Sequence, residues 1–170
     1  EFTINIAYLE GHRPVGGYVF VPCTSLAYVA EYGGGAFRIE SDGVKTELRS
    51  QAFRLTDPGL NVVASRSHRD SMTDKIISRL REPVIVSTGS SLKFLLIAEG
   101  KANFYPRLAP TMEWDTAAAQ CILEEAGGSL LQFDNLLPLV YNKPDLLNPH
   151  FIAMGAMLDP ESLVDLLRTL

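Results

Sequence analysis

Apolar residues recur in short, turn-punctuated runs over the first 48 positions. Phe2-Thr-Ile-Asn-Ile-Ala-Tyr-Leu reads as a strand, Gly11-His-Arg-Pro as its turn, Gly16 to Val21 as a second strand and Ser25 to Glu31 as a third. Gly33-Gly-Gly-Ala-Phe-Arg-Ile leads into a fourth. Short strands joined by Gly- and Pro-bearing turns predict an antiparallel meander. The triple glycine could cradle a phosphate, but no Lys-Ser or Lys-Thr follows it, and a turn between strands is the preferred reading.

The pattern changes near Asp57-Pro-Gly59. Asn61-Val-Val-Ala-Ser reads as a strand, and Ser71 to Leu80 has helical spacing through Met72, Ile76, Ile77 and Leu80. Val84-Ile-Val-Ser is a strand, and Ser91 to Glu99 a helix closed by Gly100. Ala102-Asn-Phe-Tyr is a strand, and Trp114 to Ala126 a helix closed by Gly127-Gly128. Ser129 to Phe133 and Phe151 to Met154 are further strands, and Pro160 to Leu170 is a terminal helix. Strand–helix alternation with short loops predicts an α/β unit with a mostly parallel sheet covered by helices. The helix from Thr116 is apolar on most sides, so a central, well-covered place is expected for it, with Trp114 packed under its start. The boundary falls between residues 1–58, an antiparallel-sheet unit, and 59–170, an α/β unit.

Length fits one domain or two small ones. The hydrophobic share of 46% is ordinary for a globular protein. A net charge of −5 and a pI near 5.2 argue against bulk attraction to a nucleic-acid polymer or to anionic lipid, so phosphate recognition would have to be local. No apolar run approaches the ~18 residues of a transmembrane span, and no signal peptide opens the chain. Cys23 and Cys121 read as reduced residues of a cytoplasmic protein, without the neighbours of a thiolate nucleophile or a zinc site.

Ligands of open α/β sheets bind beyond the carboxyl ends of the strands. Those ends carry Ser65-Arg-Ser-His68, Thr88-Gly-Ser-Ser91 and Arg107. Lys93 falls in the first turn of its helix, where the helix dipole disfavours a cation unless an anion offsets it. Ser90 and Ser91 offer donors at the same helix start; they either cap the helix, leaving Lys93 to water, or help hold an anion. Arg107, between Tyr105-Pro106 and Pro110, suits bidentate phosphate binding or an ion pair with Glu113 or Asp115. Asp115 is either a helix cap or a metal ligand, and one carboxylate alone cannot hold a catalytic Mg²⁺. His68 could contact a base or phosphate, or simply be solvated; His12 and His150 look like turn residues.

The chain also carries Gly33-Gly-Gly-Ala-Phe, Gly89-Ser-Ser-Leu-Lys-Phe, Tyr105-Pro-Arg-Leu, Trp114-Asp-Thr-Ala-Ala, Glu125-Ala-Gly-Gly, Tyr141-Asn-Lys and Leu147-Asn-Pro. Taken together, these motifs resemble those of the 3′(2′),5′-bisphosphate nucleotidases of the inositol monophosphatase superfamily, in the bacterial type associated with sulfate assimilation. The resemblance implies a layered α/β/α/β/α fold and Mg²⁺-dependent, lithium-sensitive removal of the 3′-phosphate from adenosine 3′,5′-bisphosphate, leaving AMP. It places Asp115 at a metal position that also approaches the substrate. Ser90, Lys93 and Arg107 match nucleotide-holding positions, with Ser91 beside them, and His68 is a further candidate. The family's acidic Asp-Pro-Ile/Leu-Asp-Gly-Thr motif is not in this sequence; Asp57-Pro-Gly59 and Asp159-Pro-Glu161 continue differently. The resemblance therefore implies the C-terminal two-thirds of such an enzyme, with its N-terminal part missing, inactive alone, and partnered by an upstream segment or by a second copy. Ile4, Ile6, Val19 and Val21, or their alternating neighbours, are expected to face water. Rival readings are an inositol-phosphate or sugar-bisphosphate phosphatase and a metal-free nucleotide-binding module.

Overall fold

The computed structural model describes residues 2–64 and 70–170. Five strands form an antiparallel meander in the order β1 (Ile4–Glu10), β2 (Arg13–Val21), β3 (Leu26–Glu31), β4 (Gly35–Ile39) and β5 (Lys45–Glu47). The triple glycine is the β3–β4 turn. Its amides do bind an anion, an internal one: Gly33 and Gly35 donate N–H bonds of 3.0 and 2.9 Å to the Glu125 carboxylate.

The chain then crosses β6 (Ala52–Phe53) into a second sheet. There β7 (Asn61–Val63) is followed by helix α1 (Ser71–Ser78), β8 (Val84–Val86), α2 (Leu92–Ala98), β9 (Phe104–Arg107) and α3 (Glu113–Glu125). Next come β10 (Ser129–Gln132), β11 (Phe151–Met154), β12 (Ala156–Met157) and α4 (Pro160–Arg168). The sheet order is β10-β11-β9-β7-β8. Strands β7, β8 and β9 pair in parallel, as the alternating pattern predicts. Strands β10 and β11 run antiparallel, so the sheet is mixed rather than mostly parallel. The difference arises because no helix lies between β10 and β11, and the direct return reverses the strand. Two-residue β6 and β12, which pair in parallel, are too short to carry a period and are not visible in the hydropathy pattern.

The layers follow from side-chain alternation. In β11, Phe151 and Ala153 face one core while Ile152 and Met154 face the other. β7 divides in the same way between Val63 and Val62, and β9 between Tyr105 and Phe104. Burial on both faces is what a parallel sheet between helices requires. On one side α2 and α3 fill the space between the two sheets, sharing a core with Val19, Val21, Tyr28 and Ala36 of the meander. On the other side α1 and α4 cover the second sheet through Ile76, Leu163 and Leu166.

That makes four layers: meander, helices, second sheet, helices. Among the described residues nothing covers the outer face of the meander. The register places Ile4 opposite Phe20 and Ile6 opposite Tyr18 on that face, and carries it on through Val29 and Phe37. Ile4, Ile6 and Tyr8 are 48%, 60% and 66% exposed. The expectation for Val19 and Val21 needs correction. They pair one residue out of phase with Ile4 and Ile6, so they point inward and are buried. An apolar strip of this kind favours association. The chain is expected to bind a hydrophobic dye and to self-associate as concentration rises in sedimentation. A dye-silent monomer at all concentrations would contradict this.

Candidate functional site

Two neighbouring cavities open where the second sheet meets α2 and α3. The larger, about 480 Å³, is lined by Ala64, Asp70, Thr73, Ser87, Thr88 and the β9 end. The smaller, about 210 Å³, is lined by Ser90, Ser91, Thr111, Asp115 and Thr116. Lys93, Tyr105 and Arg107 line both. The structure thus brings together Ser90, Ser91, Lys93, Arg107 and Asp115, which lie on three separate loops and helix starts in the sequence. His68 lies outside the described residues.

Each group is held by its own element. Arg107 ends β9, flanked in the sheet by β11 through the Phe151↔Arg107 pairing. Among the described residues it forms no ion pair, and its Nε is buried without a hydrogen-bond partner. The alternative ion pairs do not form. Glu113 is engaged by Lys143, whose Nζ reaches Oε1, and by the backbone N–H groups of Asn142 and Lys143. Burial works against the Glu113 carboxylate, yet these partners outweigh it and hold its pKa below the usual range.

Lys93 is half-buried at the second residue of α2, with Nζ 5.6 Å from the centre of the Tyr105 ring. Its pKa is lowered, first by desolvation and next by the nearby Arg107 charge, while Asp115 works the other way. The helix dipole is a lesser factor than the sequence suggests, because α2 has only seven residues. Two cations sharing a half-buried wall are a standing electrostatic cost that an anion would relieve. Burial raises the neighbouring Tyr105 phenol to about 12, so it stays neutral.

The serines do not cap α2 through their side chains. Ser91 takes the cap position without a side-chain cap bond, and its hydroxyl points to the Asp115 carbonyl at 3.4 Å. Ser90 has φ +50° and its hydroxyl lies 2.6 Å from that of Thr3. Asp115 is the third residue of α3, and its Oδ2 accepts the Met112 N–H at 2.9 Å. It therefore acts as a cap with one oxygen while its side chain lines the smaller cavity, so the two sequence readings are not exclusive.

Trp114 corrects another expectation. It is 59% exposed, at the rim of an apolar hollow beside β1, rather than beneath the helix start. Buried polar groups occupy that place instead. The Tyr141 hydroxyl lies 2.5 Å from Gln120 Oε1 and 3.1 Å from Thr116 Oγ1, and Asn148 reaches Thr116 from the other side. Sequence reasoning missed Tyr141, Glu113 and Asn148 as supports; Tyr141-Asn-Lys and Leu147-Asn-Pro were visible only as motifs. Asp70 was missed too. It caps α1 through bonds to the Thr73 N–H and hydroxyl, which lower its pKa against the opposing effect of burial.

The donor set limits what metal the site can hold. Among the described residues no three His, Cys, Asp or Glu side chains gather as a cation cage. Asp115 offers one carboxylate, and a hard divalent cation needs about six oxygens. The described residues therefore do not complete a Mg²⁺ site.

Known proteins resemble this chain over most of its length. The model of the inositol monophosphatase family matches residues 1–162. The 3′(2′),5′-bisphosphate nucleotidase CysQ of Salmonella typhimurium is 40% identical over 151 residues, covering 89% of this chain and 59% of that protein. CysQ of Escherichia coli K12 is 40% identical over 152 residues, with the same coverage. The crystal structure of CysQ from Bacteroides thetaiotaomicron superposes with a TM-score of 0.78 at 38% identity, over 91% of this chain and 62% of that one. This chain thus spans 59% of the length of the two curated relatives. The family match over nearly the whole chain, on a fold shared with a solved member, shows that the chain belongs to the inositol monophosphatase family.

Proposed function

We propose that this chain carries the nucleotide grip of a Mg²⁺-dependent phosphatase that removes the 3′-phosphate from adenosine 3′,5′-bisphosphate to give AMP. One observation supports it above all: Lys93 and Arg107 form a cationic wall common to two adjoining cavities, with Asp115 in the smaller. A nucleotide with two phosphates suits two cavities with shared cations. In this reading the 3′-phosphate enters the smaller cavity, where Ser90 and Thr111 add hydroxyl donors while the Ser91 hydroxyl stays on the Asp115 carbonyl. The nucleoside and 5′-phosphate occupy the larger. The names of the relatives, at 40% identity, favour this substrate over an inositol phosphate or a sugar bisphosphate.

The chain's own residues bind and orient. Arg107 presents a planar guanidinium for bidentate oxygen contact, and Lys93 a compact charge. Both gain strength from partial exclusion of water. Mg²⁺, when bound, would supply charge neutralisation and an activated water. Asp115 would give it one ligand, with further carboxylates needed. Turnover by these residues alone is accordingly expected to be slight. Two free thiols, Cys23 exposed and Cys121 buried, suit a reducing compartment, and the reading places the protein in the cytoplasm.

Titration calorimetry with adenosine 3′,5′-bisphosphate, inositol 1-phosphate and fructose 1,6-bisphosphate tests the substrate class. The nucleotide is expected to bind at least about tenfold more tightly than the other two. Equal affinity for all three would remove the nucleotide from the proposal. Nucleotide binding indifferent to Mg²⁺ even in a version carrying the acidic motif would favour a metal-free binding module.

A further inference from the structure

Behind the smaller cavity lies a side chain that is not part of its lining and yet holds two residues of its wall, Thr111 and Thr116, together with Met112 beside them. Asn148 precedes β11 and is 5% exposed. Its amide nitrogen reaches Met112 O at 2.8 Å, Thr116 Oγ1 at 3.0 Å and Thr111 Oγ1 at 3.2 Å. A carbonyl can only accept, so the Met112 contact fixes which end of the amide is the nitrogen. The Asn148 backbone N–H adds a bond of 2.9 Å to Thr111 O.

Thr111 and Thr116 line the smaller cavity on either side of Asp115. Met112 is held three times, its carbonyl by the Asn148 amide and the Asp115 N–H and its own N–H by Asp115 Oδ2. One amide thus clamps the approach to α3, the first turn of α3 and, through Met112, the carboxylate between them. Its amide oxygen is buried without a partner, a cost set against the three contacts of its nitrogen.

We infer that Asn148 is a positioning residue for the 3′-phosphate, fixing Thr111, Asp115 and Thr116 around the smaller cavity without contacting the nucleotide. The inference rests on the nucleotidase reading and deepens it. Asn148 acts by pre-organising a loop, so its removal taxes the phosphate that this loop receives and spares the part of the nucleotide held in the larger cavity.

The test is calorimetric titration of adenosine 3′,5′-bisphosphate and of AMP into the full chain and into Asn148→Ala and Asn148→Asp. Asn148→Asp keeps the volume but turns an acceptor toward the Met112 carbonyl. Both variants are expected to lose about tenfold in affinity for the bisphosphate and less than about twofold for AMP. Equal losses for the two nucleotides would mark Asn148 as a structural residue only and overturn the inference, as would no loss. If neither variant folds by circular dichroism, Asn148→Ser, which keeps one donor, is titrated instead. An unchanged ratio of the two affinities in that variant likewise overturns the inference. A wild-type chain that binds neither nucleotide overturns the nucleotidase reading itself, which is a separate failure from an unaltered ratio.

Discussion

Replacing Lys93 with methionine is expected to weaken binding of adenosine 3′,5′-bisphosphate by about 10- to 100-fold while making the free protein more resistant to urea. The loss follows from removing one charge-assisted contact, worth roughly 1.5–3 kcal/mol. The gain follows from the sign of the pKa shift. Lys93 is lowered chiefly by desolvation, so the folded state disfavours its charged form. Wherever the lysine is charged in both states, folding bears that cost. The cost fades as pH rises from the depressed folded value toward 10.5, because the unfolded chain there binds the extra proton. Methionine keeps most of the volume and removes the charge. Opposite movements of binding and stability would mark Lys93 as a residue retained for an anion. A variant that lost both binding and stability, or neither, would contradict this account.

The second large effect is at Gly17. A Cβ built there would lie 2.3 Å from the Ala118 carbonyl oxygen and 3.1 Å from Cys121 Cβ. The first contact is with backbone, which cannot rotate away, so α3 or β2 must move. Gly17→Ala is therefore expected to cost about 3 kcal/mol, the upper end for overpacking. It should also reduce nucleotide affinity, since α3 carries Asp115 into the smaller cavity. The urea midpoint measures the first effect and calorimetry the second. An unchanged midpoint would show that α3 does not rest on β2 as closely as described.

The same contact explains a feature of the sequence. Ala117, Ala118 and Ala119 are all buried, and small residues let the helix backbone approach the sheet. The alanine run and its lack of a polar face made the central place of α3 legible in advance. The parallel β7-β8-β9 unit was legible for a related reason: alternating short strands and helices leave few other topologies. The antiparallel return of β10 and β11 was not, since 18 residues of irregular chain between them carry no period. Trp114 was misplaced because a large aromatic reads as buried, while its surroundings depend on how far β1 extends past α3.

The site was legible in part. Lys93 stood out because the first turn of a helix is awkward for a cation without an anion, and Arg107 because rigid, proline-bearing chain flanks it; the structure places both on one wall. Asp115 was open between cap and ligand, and the geometry allows both because a carboxylate has two oxygens. Asn148, Glu113 and Tyr141 were illegible as supports. Their partners are 21 to 37 residues away in sequence, and no local pattern announces a hydrogen bond of that reach.

The decisive measurement is phosphate release from adenosine 3′,5′-bisphosphate. It is measured with and without Mg²⁺, on this chain and on a version extended upstream to carry an Asp-Pro-Ile/Leu-Asp-Gly-Thr motif. Mg²⁺-dependent release is expected from the extended version, with its loss on Asp115→Ala, and little or no release from residues 1–170 alone. Release by neither version, or release that survives Asp115→Ala, would contradict that expectation.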